Sequence, residues 1–161
     1  MNKIILLTAI FFTTFVFALS EDVKQPIEIE AESVIVDDKS GFNEFIGGAE
    51  VRQGSLFMSA ELIQVQTNEE GVETMKAIGT LNNPAKYIQS QETQARFIEA
   101  TATEITYDVN TGMIFLNGNA NLIQGFESFS GESLIYDIDN DKVNAKGSDD
   151  GTKRVKFKID L

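Results

Sequence analysis

The chain has 161 residues, a formal net charge of −12 and no cysteine, histidine or tryptophan. Without cysteine it forms no disulfide or thiolate metal site, and without histidine it lacks the commonest general base and transition-metal ligand. Most hydrolytic, redox and zinc chemistry is therefore not expected, and the acidic charge argues against a nucleic-acid partner, which requires a basic surface. We predict one non-enzymatic domain with no catalytic residue, no metal and no cofactor.

The first 20 residues have the pattern of a secretory signal peptide. Lys3 supplies the positive start, and an apolar run of 16 residues extends from Ile4 to Leu19. That run is shorter than the roughly 20 residues of a membrane-spanning helix, and small residues near its end predict cleavage after Ala18 or Ser20. We expect residues 21–161 to form an exported, soluble protein; an uncleaved membrane anchor is the alternative.

The region after this leader begins with a strand pattern. Pro26 suits the first residue of a strand, and Ile27 and Ile29 then alternate with Glu28 and Glu30. Because successive side chains of a strand point to opposite faces, the pattern predicts one apolar and one acidic face.

Glycine, asparagine and aspartate predict where the following strands end. We expect a hairpin at Gly47–Gly48, a turn at Asn82–Pro84 and a loop at Gln89–Gln94. The run Asp137–Asp141 has the oxygen spacing of a calcium loop, but Lys142 stands where an EF-hand needs glycine. We therefore interpret this run as a hairpin turn.

The second half of the chain repeats the first with an offset of 71 residues. Val36 then corresponds to Tyr107, and Gly47 corresponds to Gly118. A repeat too small to close its own core must stack on its neighbour, so we predict an all-β array of about 14–16 short strands. The predicted repeat units are residues 27–88 and 97–161.

The last residues form a strictly alternating run that we predict to be an edge strand. Lys156 and Lys158 lie on one face of it, whereas Glu28 and Glu30 lie on one face of the first strand. Edge strands recruit further strands, and opposite charges on the two edges favour head-to-tail pairing between copies. The alternative is that the lysines protect the edge of a monomer.

Six short motifs resemble the lipopolysaccharide-transport protein A family, whose domain is called OstA-like. They occur in order over about Gln25 to Ile159. The shared domain also occurs in the inner-membrane C component and in the periplasmic part of the outer-membrane D component of the same transport system. The motifs are Lys24–Glu30, Asn83–Tyr87, Tyr107–Val109, Leu116–Leu122, Gly131–Tyr136 and Lys153–Val155.

The resemblance implies an open, twisted antiparallel β-jellyroll of two facing sheets. It implies a periplasmic carrier that holds the acyl chains of lipopolysaccharide between the sheets and assembles head to tail. Its partners would be lipopolysaccharide, the C and D components and other copies of itself. The alternatives are a secreted, self-assembling β-repeat structural or adhesion protein without a lipid ligand and, more remotely, a two-carboxylate glycosidase.

A lipid carrier needs an apolar groove, whereas a plain β-sandwich would fill the same positions with a closed core. We predict that a set of inward-facing residues lines such a groove. These residues are Ile27, Ile29, Val34, Val36, Tyr87, Tyr107, Val109, Leu116 and Leu134.

Overall fold

The computed structural model describes residues 21–91 and 96–160. The predicted signal peptide and part of the predicted loop at Gln89–Gln94 lie outside these residues. The described chain contains twelve strands and one short 3₁₀ helix, η1. Their bounds are η1 Glu21–Lys24, β1 Glu28–Glu30, β2 Ser33–Asp37, β3 Phe42–Gln53, β4 Leu56–Asn68, β5 Gly71–Ile78, β6 Ala85–Gln91, β7 Arg96–Ala102, β8 Glu104–Asp108, β9 Met113–Gln124, β10 Glu127–Asp137, β11 Lys142–Lys146 and β12 Lys156–Ile159.

The four long strands, β3, β4, β9 and β10, bend and contribute to two sheets. β4, for example, pairs with β6 near its start and with β5 along its second half. The first sheet has the order β2-β3-β4-β5-β8-β9-β10-β11, and the second has the order β1-β3-β4-β6-β7-β9-β10-β12. Because four strands count in both sheets, each sheet has eight segments, all antiparallel. The predicted fold class, an antiparallel β-jellyroll of two sheets, is confirmed.

Glycines produce the bends, and here one prediction was wrong. Gly47 and Gly48 have φ values of 85° and 52°, but they lie inside β3 and form no hairpin. Their partner strand β4 continues past them, and the register shifts between Ile46 and Ala49. Positive φ therefore creates a bulge that turns β3 from one sheet into the other.

The internal repeat is visible in the strand bounds. Adding 71 to the bounds of β2 and β3 gives the bounds of β8 and β9. The two halves join twice, through β5 and β8 in the first sheet and through β6 and β7 in the second. These junctions close the ring β4-β5-β8-β9-β7-β6, which surrounds the middle of the core.

The core consists of rows of side chains that cross each sheet from edge to edge. In the first sheet one row is fully buried at its centre, where Ile63, Ile105 and Leu116 are 0% exposed, but Val34 at its end is 50% exposed. The row consists of Val34, Phe45, Ile63, Ala77, Ile105, Leu116, Leu134 and Ala145.

Candidate functional site

The space between the two sheets is the candidate site, and the structure brings most of the predicted groove residues to it. Four of them are buried in the core, three are half-buried and pack against it, and two lie exposed on the edge strand β2. The buried residues are Tyr87, Tyr107, Leu116 and Leu134. The half-buried ones are Ile27, Ile29 and Val109, and the exposed ones are Val34 and Val36.

The two sheets touch at the middle of this space. Tyr87 on β6 meets Tyr107 on β8 edge to face, with ring centroids 5.8 Å apart and an interplanar angle of 70°. Burial raises the pKa of Tyr107 to about 12 and the pKa of Tyr87 well above its ordinary value, so both hydroxyls are neutral. An acyl chain can therefore occupy the middle only if the sheets separate there.

At both ends of the sheets the apolar interior reaches the surface. Val34 and Val36 are 50% and 60% exposed on β2. At the opposite end Phe157 on β12 stacks on Phe129 at a centroid distance of 4.8 Å, yet Phe157 remains 54% exposed. Exposed apolar surface of this kind marks a place where a ligand or another chain is expected to bind.

The two long sides of the space differ. On one side, which we call the spine, the chain passes directly from one sheet to the other, and backbone bonds join Gly79 N to Thr103 O and Thr103 N to Gly118 O, both at 2.9 Å. On the other side, which we call the mouth, each sheet ends in a row of turns. The turns of the first sheet are residues 38–41, 69–70, 109–112 and 138–141, and the described turns of the second are 54–55 and 125–126.

Sequence reasoning missed a polar cluster that spans the mouth. Gln124, at the end of β9 in the second sheet, donates through Nε2 to the hydroxyl of Tyr136 in the first sheet at 3.1 Å and to Asp141 Oδ1. The Tyr136 hydroxyl also donates to Asp141 Oδ1 at 3.1 Å. A glutamine at an inward-facing strand position was the available signal, but its partners become neighbours only when the sheets face each other.

A second polar cluster lies where η1 packs on the second sheet. Asp22 accepts hydrogen bonds from Ser55 N at 2.8 Å, Ser55 Oγ at 2.6 Å and Gln89 Nε2 at 2.9 Å. Gln89 in turn accepts one from the Tyr87 hydroxyl at 2.5 Å. Burial alone would raise the pKa of Asp22, but the bonds from Ser55 and Gln89 outweigh it and the pKa lies below its ordinary value.

The predicted oligomer-edge residues lie at opposite ends of the second sheet. Glu28 and Glu30 are exposed on β1, which pairs with β3. Lys156 and Lys158 are exposed on β12, which pairs with β10. No helix in the described parts of the chain is long and apolar enough to cross a bilayer.

A two-sheet β-jellyroll with an apolar interior exposed at both ends is the architecture of the periplasmic lipopolysaccharide-transport class. A solved structure of that class, LptH from Pseudomonas aeruginosa, superposes with a TM-score of 0.77 at 28% identity, covering 87% of this chain and 99% of that one. Its title describes it as the LptA-homologous periplasmic component of the conserved lipopolysaccharide transport device.

The chain belongs to the LptA/(LptD N-terminal domain) LPS transport protein family, whose model matches residues 28–142. It is 31% identical to the lipopolysaccharide export system protein LptH of Pseudomonas aeruginosa, over 86% of this chain and 78% of that protein. It is 28% identical to LptA of Haemophilus influenzae over 96% and 88% of the two chains. For LptA of Escherichia coli K12 the identity is 30%, over 86% and 73%. The resemblance found in the sequence is confirmed.

Proposed function

We propose that this protein is a periplasmic carrier of lipopolysaccharide that holds acyl chains between its two sheets. In the same proposal, copies join head to tail into a bridge between the inner-membrane C component and the outer-membrane D component. The observation that carries it is the apolar interior, which runs through the whole molecule and is exposed at both ends. Family membership and the names of the relatives, all export proteins, support it.

Apolar burial is sufficient for reversible binding of this kind. Each methylene moved out of water contributes about 0.8 kcal/mol. About ten buried methylenes would contribute roughly 8 kcal/mol, which corresponds to about micromolar affinity before the costs of association. Binding and release require no covalent step, so the protein acts as a carrier and not as an enzyme.

The internal junction of the second sheet supports a particular head-to-tail register. In it, β6 pairs with β7, with Lys86 opposite Thr101 and Ile88 opposite Glu99. The Lys86 ammonium also contacts the Glu99 carboxylate at 3.1 Å. This junction, inside one chain, provides a template for a junction between chains.

Transfer of the template to two copies pairs the charged edges. β12 takes the place of β6, because Phe157 lies opposite Phe129 as Tyr87 lies opposite Met58. β1 takes the place of β7 through the offset of 71. Lys156 then lies opposite Glu30 of the next copy, and Lys158 lies opposite Glu28 of that copy.

The first sheet gives a matching register. There β5 pairs with β8, with Met75 opposite Tyr107 and Ala77 opposite Ile105. With β11 in place of β5 and β2 of the next copy in place of β8, the inner faces pair Val143 with Val36 and Ala145 with Val34. The exposed valines of β2 would then be buried, and the core rows would continue from copy to copy.

The first test is whether the protein carries lipid. We expect protein purified from the periplasm to retain lipopolysaccharide that mass spectrometry identifies, and delipidated protein to bind a fluorescent fatty acid. Each copy would bind the probe in competition with lipopolysaccharide. Self-association without any bound lipid or probe would contradict the carrier and favour the lipid-free structural protein.

A further inference from the structure

The entry route of the acyl chains can be inferred from the unequal sides of the molecule. We propose that acyl chains enter sideways through the mouth, and that Gln124, Tyr136 and Asp141 form a latch that holds the mouth closed in the lipid-free protein. This inference rests on the proposed function and adds to it the entrance of the binding site and the residues that control it.

The spine is a poor entrance because continuous backbone crosses it. β3, β4, β9 and β10 all run through the bend, and the chain passes from β7 to β8 at Thr103. Thr103 is held there by backbone bonds to Gly79 and Gly118. Opening this side would break the hydrogen bonds of several strands at once, whereas opening the mouth separates turns whose backbones are not paired with each other.

The latch joins the two margins of the mouth. Asp141 belongs to the turn between β10 and β11, and its φ of 53° places it in the left-handed region. Gln124 is the last residue of β9 and is 5% exposed. Their contact, together with the bond from Gln124 to the Tyr136 hydroxyl, connects the turn row of the first sheet to that of the second.

Hydrogen bonds at this margin suit a reversible closure. Glutamine, hydroxyl and carboxylate groups exchange a protein partner for water with little net change in free energy when they become exposed. The same groups line an opening at which the sugar and phosphate part of the lipid would stay in water. Apolar chains would thus enter the core while the polar part remains outside.

The absence of native cysteine makes a direct test possible in the full chain. We would introduce cysteines at Gln124 and Asp141 and join them with a short thiol cross-linker. The control pair is Ile123→Cys with Ser128→Cys, which lie directly opposite each other on the outer face of one sheet. The readout is the association rate of a fluorescent fatty acid and of purified lipopolysaccharide.

We expect cross-linking across the mouth to slow association by at least about tenfold. The control pair, and the mouth pair alkylated without cross-linking, should bind as fast as or faster than the unmodified protein. Binding at the parent rate with the mouth cross-linked would overturn the inference and indicate entry through the ends. No binding in any form, the parent included, would instead overturn the proposed function.

A single substitution tests the latch independently of the cross-link. Asp141→Ala removes the acceptor shared by Gln124 and Tyr136, so we expect association to accelerate several-fold. The circular dichroism spectrum should match that of the parent, which separates faster entry from unfolding. An unchanged association rate in a folded variant would show that the cluster does not hold the mouth closed.

Discussion

At the scale of single residues, most polar groups that reach the interior belong to clusters at its margin. Gln53, Gln89 and Gln124 are buried, and each has a hydrogen-bond partner. Buried polar groups without partners are costly, so these clusters determine which strand ends can close over the core. Asp22 is the acceptor at one of these margins.

We predict that Asp22→Ala destabilises the fold at neutral pH. Three hydrogen bonds to the carboxylate would be lost and Gln89 would lose a partner, at a cost of about 1–2 kcal/mol. Because the folded pKa of Asp22 is below its ordinary value of 3.8, the carboxylate stabilises the fold above that pH, and the contribution is lost as the pH falls through the folded pKa.

Urea unfolding at pH 7 and at pH 3 measures this effect. The free energies of unfolding of parent and variant should differ at pH 7, and the difference should shrink at pH 3. Asp38→Asn is the matched control, because Asp38 is exposed in the turn after β2. A variant as stable as the parent at pH 7, or an equal difference at both pH values, would contradict the role assigned to Asp22.

At the scale of elements, alternation and the repeat predicted most of what forms. The exposure of β1 alternates as Glu28, Ile29 and Glu30 suggest, and the last run forms an edge strand. The bend at Gly47–Gly48 was predicted as a hairpin, because positive φ serves a turn and a bulge equally well. Only the continuation of β4 decides between them, and that is a property of the pair of strands.

The elements with the clearest consequence for assembly are the edge strands β1 and β12. We predict that Lys156→Glu with Lys158→Glu weakens self-association. Each opposite-charge cross-strand pair contributes roughly 0.2–1 kcal/mol, so the loss of two pairs corresponds to about a 2- to 30-fold weaker contact. The difference should be largest at low salt, since these side chains are exposed.

Sedimentation velocity of the purified chain checks this prediction. Adding Glu28→Lys and Glu30→Lys to the same chain should restore association, because every junction then carries the exchanged charges. Unchanged sedimentation of the double variant at low salt would mean that the lysines only protect the edge of a monomer.

At the scale of the whole molecule, the structure is an apolar interior that is closed at the spine, latched at the mouth and exposed at both ends. The sequence predicted this interior as a set of inward-facing positions, and seven of the nine predicted residues lie in or against the core. It could not predict how far the sheets approach each other. That distance depends on contacts such as Tyr87 with Tyr107, which are distant in sequence and belong to different sheets.

The same scale explains why two predicted groove residues are exposed. Val34 and Val36 belong to rows that continue through all eight segments of the first sheet, but β2 is the last strand at its end. In the proposed assembly, β11 of the preceding copy covers them and the interior becomes continuous. The single chain is thus one segment of a longer apolar path.

The central claim is that acyl chains lie between the sheets, and photo-cross-linking tests it most directly. A photoreactive amino acid would replace Tyr107 or Ile29, which face the interior, or their outward-facing neighbours Thr106 and Glu28. The account predicts that lipopolysaccharide is captured at the two inward positions and not at the two outward ones. Capture confined to the outward positions would contradict it.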